Sequence, residues 1–109
     1  MPCRIYSMYL CVHDMSRAIS FYEQFLQQPV TIHDDIYSVF DIGGFRLGLF
    51  AYQKVNEEHL FGSNCLPSFE FESLEVLKKQ MEGKTIRFPL TQIKDNWVAK
   101  IIDSEGNPI

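Results

Sequence analysis

The chain has 109 residues, 46% apolar and 22% charged, with a formal net charge of −4. That length suits one domain with a single core. No apolar run approaches the roughly 20 residues that a membrane span needs, and Lys and Arg do not cluster beyond Lys78-Lys79, which argues against nucleic acid as a partner.

Residues 4–12, RIYSMYLCV, are rich in β-branched, aromatic and apolar side chains and read as a first strand. Asp14 follows as a helix cap, its carboxylate aimed at the free N–H groups of a first turn. Met15, Ala18, Ile19, Tyr22, Phe25 and Leu26 then recur at three- and four-residue steps, which predicts an amphipathic helix. Gln27-Gln28-Pro29 ends it, because the residue before a proline is pushed out of the helical region.

Three extended pieces are expected next. Residues 30–33 are short, and Asp34-Asp35 signals a turn. Residues 37–42 and 45–52 flank Gly43-Gly44, the signature of a tight hairpin with positive φ. Residues 53–64 are polar and read as a loop or linker with room for one short helical turn.

The order then restarts. Residues 66–72, LPSFEFE, read as a strand that Pro67 confines to an edge or a strand start. Ser73 caps a second helix with Leu74, Leu77 and Met81 on one stripe and Gly83 as its stop. Residues 86–90 and 97–103 are two more strands around Lys94-Asp95-Asn96, and DSEGN is a tight turn before Pro108-Ile109.

The expected fold is therefore α+β: two βαβββ modules, the second lacking its last strand. Module one spans about 1–53, the linker 54–64 and module two 65–109, within a single domain. The halves align in sequence as well as order: Leu10, Val12, Asp14, Met15 and Ala18 match Phe69, Phe71, Ser73, Leu74 and Leu77, and GFRL at Gly44 matches GNPI at Gly106.

These passages carry a resemblance. YLCVHDMSRAISFYEQFL is similar to the strand–Asp–helix pattern V-x-D-L-x-x-A-x-x-FY-x-x-x-L of the vicinal-oxygen-chelate superfamily (glyoxalases, bleomycin-resistance and fosfomycin-resistance proteins, extradiol dioxygenases). IIDSEGNPI resembles the superfamily's D-P-D-G-N turn before its final strand. The resemblance implies curved mixed sheets around a cavity with helices outside, and a family that hosts many chemistries on one scaffold.

Metal-dependent members hold an ion with His on the first strand of each module and Glu or His on the last. The matching positions here are Ser7, Leu66, Gly48 and a place one past Ile109. Zinc and similar ions need three or four imidazole, carboxylate or thiolate donors, so neither a metal nor another cofactor is expected. His13, His33 and His59 fit none of the four positions and read as loop histidines.

Alternation along the strands sorts the faces. Ser7, Tyr9 and Cys11 share one face of the first strand. Arg46, Gly48, Phe50 and Tyr52 share a face of the hairpin strand, and Leu66, Ser68 and Glu70 one of the fifth. The expected ligand-binding set is Ser7, Tyr9, Arg46, Phe50, Tyr52, Ser68, Glu70 and Trp97: an aromatic pocket with a few polar handles. Arg46 and Glu70 are open to two readings, pairing with each other or at a solvated rim, or holding a charged ligand group. Cys11 needs a neighbouring base to be a nucleophile, and Pro2 lacks the surrounding pattern of the tautomerases.

The function so implied is that of a metal-free glyoxalase/bleomycin-resistance-like protein that binds or sequesters a small molecule, as a homodimer. The alternative is a glyoxalase-type lyase or dioxygenase-related enzyme with an unusual site. Three scattered cysteines, Cys3, Cys11 and Cys65, and an opening without a long apolar stretch predict a cytoplasmic protein.

Overall fold

Asp14 starts the first helix as its side chain predicts: it is extended (φ −132°), and its Oδ1 accepts from the Arg17 N–H at 3.0 Å. In the computed structural model, residues 5–57 and 66–109 are described. The chain divides into two compact units, Met1–Leu60 and Phe61–Ile109, within the stretch read as a linker. Pro2, Cys3, Arg4, His59 and Cys65 lie outside the described residues.

The first unit holds β1 (Ser7–Cys11), α1 (Met15–Leu26), β2 (Tyr37–Ile42), β3 (Phe45–Phe50) and a 3-10 turn at Tyr52–Val55. The strand order is β1-β3-β2, with β1 parallel and β2 antiparallel to β3. Leu10, Ser38, Phe40, Leu47 and Leu49 are buried, and so are Met15, Ala18, Ile19, Tyr22 and Phe25 on the inner stripe of α1. The Tyr22 and Phe40 rings meet at 6.3 Å, which locates the core between the helix and one face of the sheet. Ser38, the polar member of this core, is satisfied: its hydroxyl donates to the Asp34 carbonyl at 2.7 Å and accepts from the Asp34 N–H at 3.0 Å.

Several boundaries differ from expectation. Helix α1 ends at Gln27, which is left-handed (φ 56°), two residues before Pro29 acts. Residues 30–33 make a single bridge, Ile32 to Val39, instead of a strand. The N–H groups of Thr31 and Ile32 both donate to the Val39 carbonyl, and the Asp41 N–H is taken by the Thr31 hydroxyl, so no regular ladder can extend. Asp34 makes the turn: its Oδ2 accepts from the Ile36 and Tyr37 N–H groups at 2.9 and 3.1 Å. These hydrogen bonds, Tyr37's first, hold the Asp34 carboxyl below its ordinary pKa. Gly43 and Gly44 both have positive φ (58° and 94°), so the Ile42–Phe45 pair closes on a two-residue turn that glycine alone enters without strain.

The second unit holds α2 (Leu74–Met81) and an antiparallel ribbon of β4 (Thr85–Ile93) and β5 (Asn96–Ile102). Ser73 caps α2 through its hydroxyl, which accepts from the Val76 N–H at 3.2 Å. The buried residue of this helix is Gln80, whereas the expected stripe of Leu74, Leu77 and Met81 is half-buried. Residues 66–72, expected as a strand, join no ladder among the described residues, and Pro67 has no N–H to offer one. The ribbon's register shifts on both sides of Phe88, beside Pro89, which likewise cannot donate.

After β5, Asp103 organises the turn. Its Oδ1 accepts from the Glu105 N–H at 2.8 Å and the Asn107 N–H at 2.7 Å, and its Oδ2 accepts from the Asn107 side chain at 3.1 Å. Ile109 then exchanges both backbone hydrogen bonds with Ile101 at 2.9 Å, so the chain doubles back along β5 as β3 does along β2. The fold is α+β with one mixed and one antiparallel sheet, both open.

Replacing Asp14 with alanine should leave a first-turn N–H without its acceptor and cost about 1 kcal/mol of stability. Urea denaturation of the full chain measures this. An unchanged midpoint would remove the cap from the account.

Candidate functional site

Helix α1 covers one face of the β1-β3-β2 sheet, and the other face carries the first-unit residues expected in a site. Register puts Ser7 and Asp41 beside Arg46, Tyr9 and Val39 beside Gly48, and Cys11 and Tyr37 beside Phe50. Side chains in register share a face, and alternate residues point the same way. Ser7, Tyr9, Arg46 and Phe50, all expected in the site, thus stand together.

Three aromatic rings pack over the centre. Tyr9 and Phe50 stack nearly parallel, 8° apart with centroids at 5.3 Å. Tyr37 tilts against both, at 6.1 Å from Tyr9 and 6.0 Å from Phe50. Gly48 makes this arrangement possible. A Cβ placed there would lie 2.8 Å from Tyr37 Cε1 and closer still to its Cζ and hydroxyl, so the Tyr37 ring occupies the space that any side chain at position 48 would need. Val39 forms the buried floor beside it, while Tyr9 and Tyr37 are 47% and 37% exposed.

Arg46 lies at one edge of this cluster. It is half-buried, and its guanidinium carbon sits 5.7 Å from the centre of the Tyr6 ring. Its cross-strand neighbour Asp41 directs Oδ1 to the Gly44 N–H at 2.8 Å, within the hairpin turn. Burial raises the pKa of the Tyr37 phenol, and the Tyr9 phenol adds to this, while the Arg46 charge opposes it. The phenol therefore stays protonated at neutral pH and is a hydrogen-bond donor.

Cys11 is buried on the same face, and burial, helped by Glu57, raises its thiol pKa. A thiol held protonated is a weak nucleophile. His13 is turned elsewhere, with its Nδ1 3.4 Å from the Tyr52 hydroxyl. Tyr52 itself departs from expectation. The strand stops at Phe50, Ala51 donates to the Ile36 carbonyl, and Tyr52 enters the 3-10 turn with its ring edge-on to His13. It does not continue the row of Arg46, Gly48 and Phe50.

The remaining expected residues belong to the second unit. Ser68 and Glu70 are exposed on the unpaired segment before α2, and Trp97 is exposed on β5 opposite Gln92. Tyr37, in contrast, was not among the expected site residues. A two-residue turn at Gly43-Gly44 fixes the pairing that puts Tyr37 opposite Phe50, and that was the signal for it.

The three positions matched to the metal ligands of metal-dependent members do not supply donors for one. Ser7 is a lone hydroxyl, Gly48 offers no donor and its side-chain space is filled by Tyr37, and Leu66 is apolar. Among the described residues no group of three His, Cys, Asp or Glu side chains is placed to hold an ion. Nor is any described helix long and apolar enough to cross a membrane.

Replacing Gly48 with alanine should displace the Tyr37 ring. The atoms that must yield are at the end of one partly exposed side chain, so the stability cost should stay below about 1 kcal/mol. The Tyr9 and Phe50 ring-proton shifts should nevertheless change in NMR spectra. Unaltered shifts would contradict the packing described.

No protein-family model matches the sequence, and no curated protein matches it in sequence. Solved structures do match in shape. A glyoxalase/bleomycin resistance protein/dioxygenase family enzyme from Burkholderia phytofirmans PsJN superposes with a TM-score of 0.76 at 19% identity, over 97% of this chain and 94% of that one. A lactoylglutathione lyase from Agrobacterium tumefaciens gives 0.70 at 17% identity, over 98% and 90%. A glyoxalase-related enzyme from Fulvimarina pelagi gives 0.73 at 15% identity, over 96% and 84%. The chain has the fold of the glyoxalase/bleomycin-resistance/dioxygenase proteins.

Proposed function

We propose that this protein binds or sequesters a small organic molecule, without a metal, on the face of its first sheet that carries Tyr9, Tyr37, Phe50 and Arg46. The observation behind this reading is the three-ring cluster seated on Gly48, with Tyr9 and Tyr37 exposed and Phe50 half-buried. Exposed aromatic surface beside a few convergent polar groups is the usual make-up of a small-molecule site. Ser7, Gly48 and Leu66 argue against the metal-dependent alternative, and the raised Cys11 thiol argues against covalent catalysis. In this reading the protein works as a homodimer in a reducing compartment. Open sheet edges support the dimer, and so do the exposed Ile86, Phe88, Ile93, Trp97 and Val98 of the β4–β5 ribbon.

A thermal-shift screen of the full chain against organic compounds, with chelator present, tests the reading. Ligands that bind the folded state raise its midpoint by mass action. Hits whose effect survives the chelator and disappears in Tyr9→Leu support the site. A screen in which no stabilising compound depends on Tyr9 would refute it.

A further inference from the structure

Resting on that reading, we infer that the molecule bound by the Tyr9–Tyr37–Phe50 face is a planar aromatic carboxylate, its ring on the tyrosine and phenylalanine rings and its carboxylate held by Arg46 and the Tyr37 hydroxyl. The rings ask for a flat ligand. Tyr9 and Phe50 differ by only 8° in plane, and Tyr9 keeps nearly half its surface open. Ring-on-ring contact rewards a matching aromatic plane beyond its apolar area. Gly48 leaves this part of the sheet without a side chain of its own, and the end of the Tyr37 ring lies over it.

The polar groups ask for an anion. Arg46 points to the same face two residues along β3 from Gly48, and a guanidinium matches a carboxylate with two parallel hydrogen bonds. Asp41, the carboxylate nearest in register, is engaged by the hairpin N–H. The protonated Tyr37 phenol adds a donor close enough to feel the Arg46 charge, and the Ser7 hydroxyl lies across from Arg46 in the ladder. One guanidinium on a chain of net charge −4 suits a monoanion rather than a phosphate dianion. A cationic ligand would instead meet Arg46 across the face.

Isothermal titration of the full chain with three naphthyl probes tests this: 2-naphthoate, 2-naphthalenemethanol and 2-naphthylmethylamine. They share a ring system and differ in charge. The carboxylate should bind at least about tenfold more tightly than the alcohol, the scale of a charge-assisted pair. Arg46→Gln should bring naphthoate down to the level of the alcohol and leave the alcohol unchanged. Tyr37→Phe keeps the ring and should weaken naphthoate alone by a few-fold, a second readout should Arg46→Gln fail to fold. Alcohol or amine binding as tightly as carboxylate would overturn the inference, as would a preference that survives both replacements. If none of the probes binds while other compounds bind in a Tyr9-dependent way, the ligand class is wrong and the binding reading stands. If no compound depends on Tyr9, both fall.

Discussion

Phe40→Ala should be among the most destabilising single changes in the chain, costing about 3–5 kcal/mol. Phe40 is fully buried at the middle of β2, on the face that α1 covers, and its ring meets Tyr22 at 6.3 Å. Tyr22 in turn packs edge-on to Phe25 at 6.5 Å, so a cavity at position 40 would open beside the ring that anchors the helix. Leu47, its cross-strand neighbour, is also buried and lies on the strand that carries Arg46 and Gly48. Removing the ring takes away its transfer free energy and leaves a void that packed neighbours fill only partly. Urea denaturation read by far-UV circular dichroism measures the loss. A cost under about 1 kcal/mol would mean that the core is not where the structure puts it.

Asp103→Ala should cost about 2–3 kcal/mol, because it strips the acceptor from donors that have little access to water. The Asp103 carboxylate is buried and takes the N–H groups of Glu105 and Asn107 together with the Asn107 side chain. Glu105 and Asn107 are themselves buried, so water cannot readily replace the carboxylate. The same turn carries Gly106 at φ 90° and leads Ile109 back onto Ile101. Asp103→Asn keeps one oxygen for the two N–H groups and should recover part of the loss. Hydrogen exchange offers the sharper readout: the Glu105 and Asn107 amides should lose protection in Asp103→Ala. Full protection of both would show that the carboxylate does not hold the turn.

Much of the first unit was legible because its signals are local. Asp14 and the apolar steps from Met15 to Phe25 specify one helix and the stripe it buries. Gly43-Gly44 specifies a two-residue hairpin, and alternation then sorts Ser7, Tyr9, Arg46 and Phe50 onto one face. Tyr52 lies past the end of β3, where the alternation no longer applies. Nothing in the residue itself announces the 3-10 turn, which depends on Ala51 bonding back to Ile36 and Asn56 taking a left-handed conformation. Residues 30–33 failed as a strand for a similar reason, since the double donation to the Val39 carbonyl is a tertiary event.

The site was half legible. Tyr9, Phe50 and Arg46 follow from the strand pattern, but the Val39 floor and the place of the Tyr37 ring do not, because the pattern marks Gly48 only as a missing ligand. A glycine in a central strand also makes room, and here a neighbouring ring fills that room. Gln80 shows the reverse limit. A helix stripe read from Leu74, Leu77 and Met81 gives no hint that a glutamine would be its most buried member.

In the proposed function, rings and one guanidinium, rather than a coordinated ion, make up the binding face. Metal stoichiometry of the full chain is the decisive measurement, by mass spectrometry after exposure to nickel, zinc, iron and manganese and removal of the excess. The expected result is far less than one ion retained per chain for each metal. One tightly held ion per chain, released when Ser7 is replaced by alanine, would mean that this face is a metal site after all.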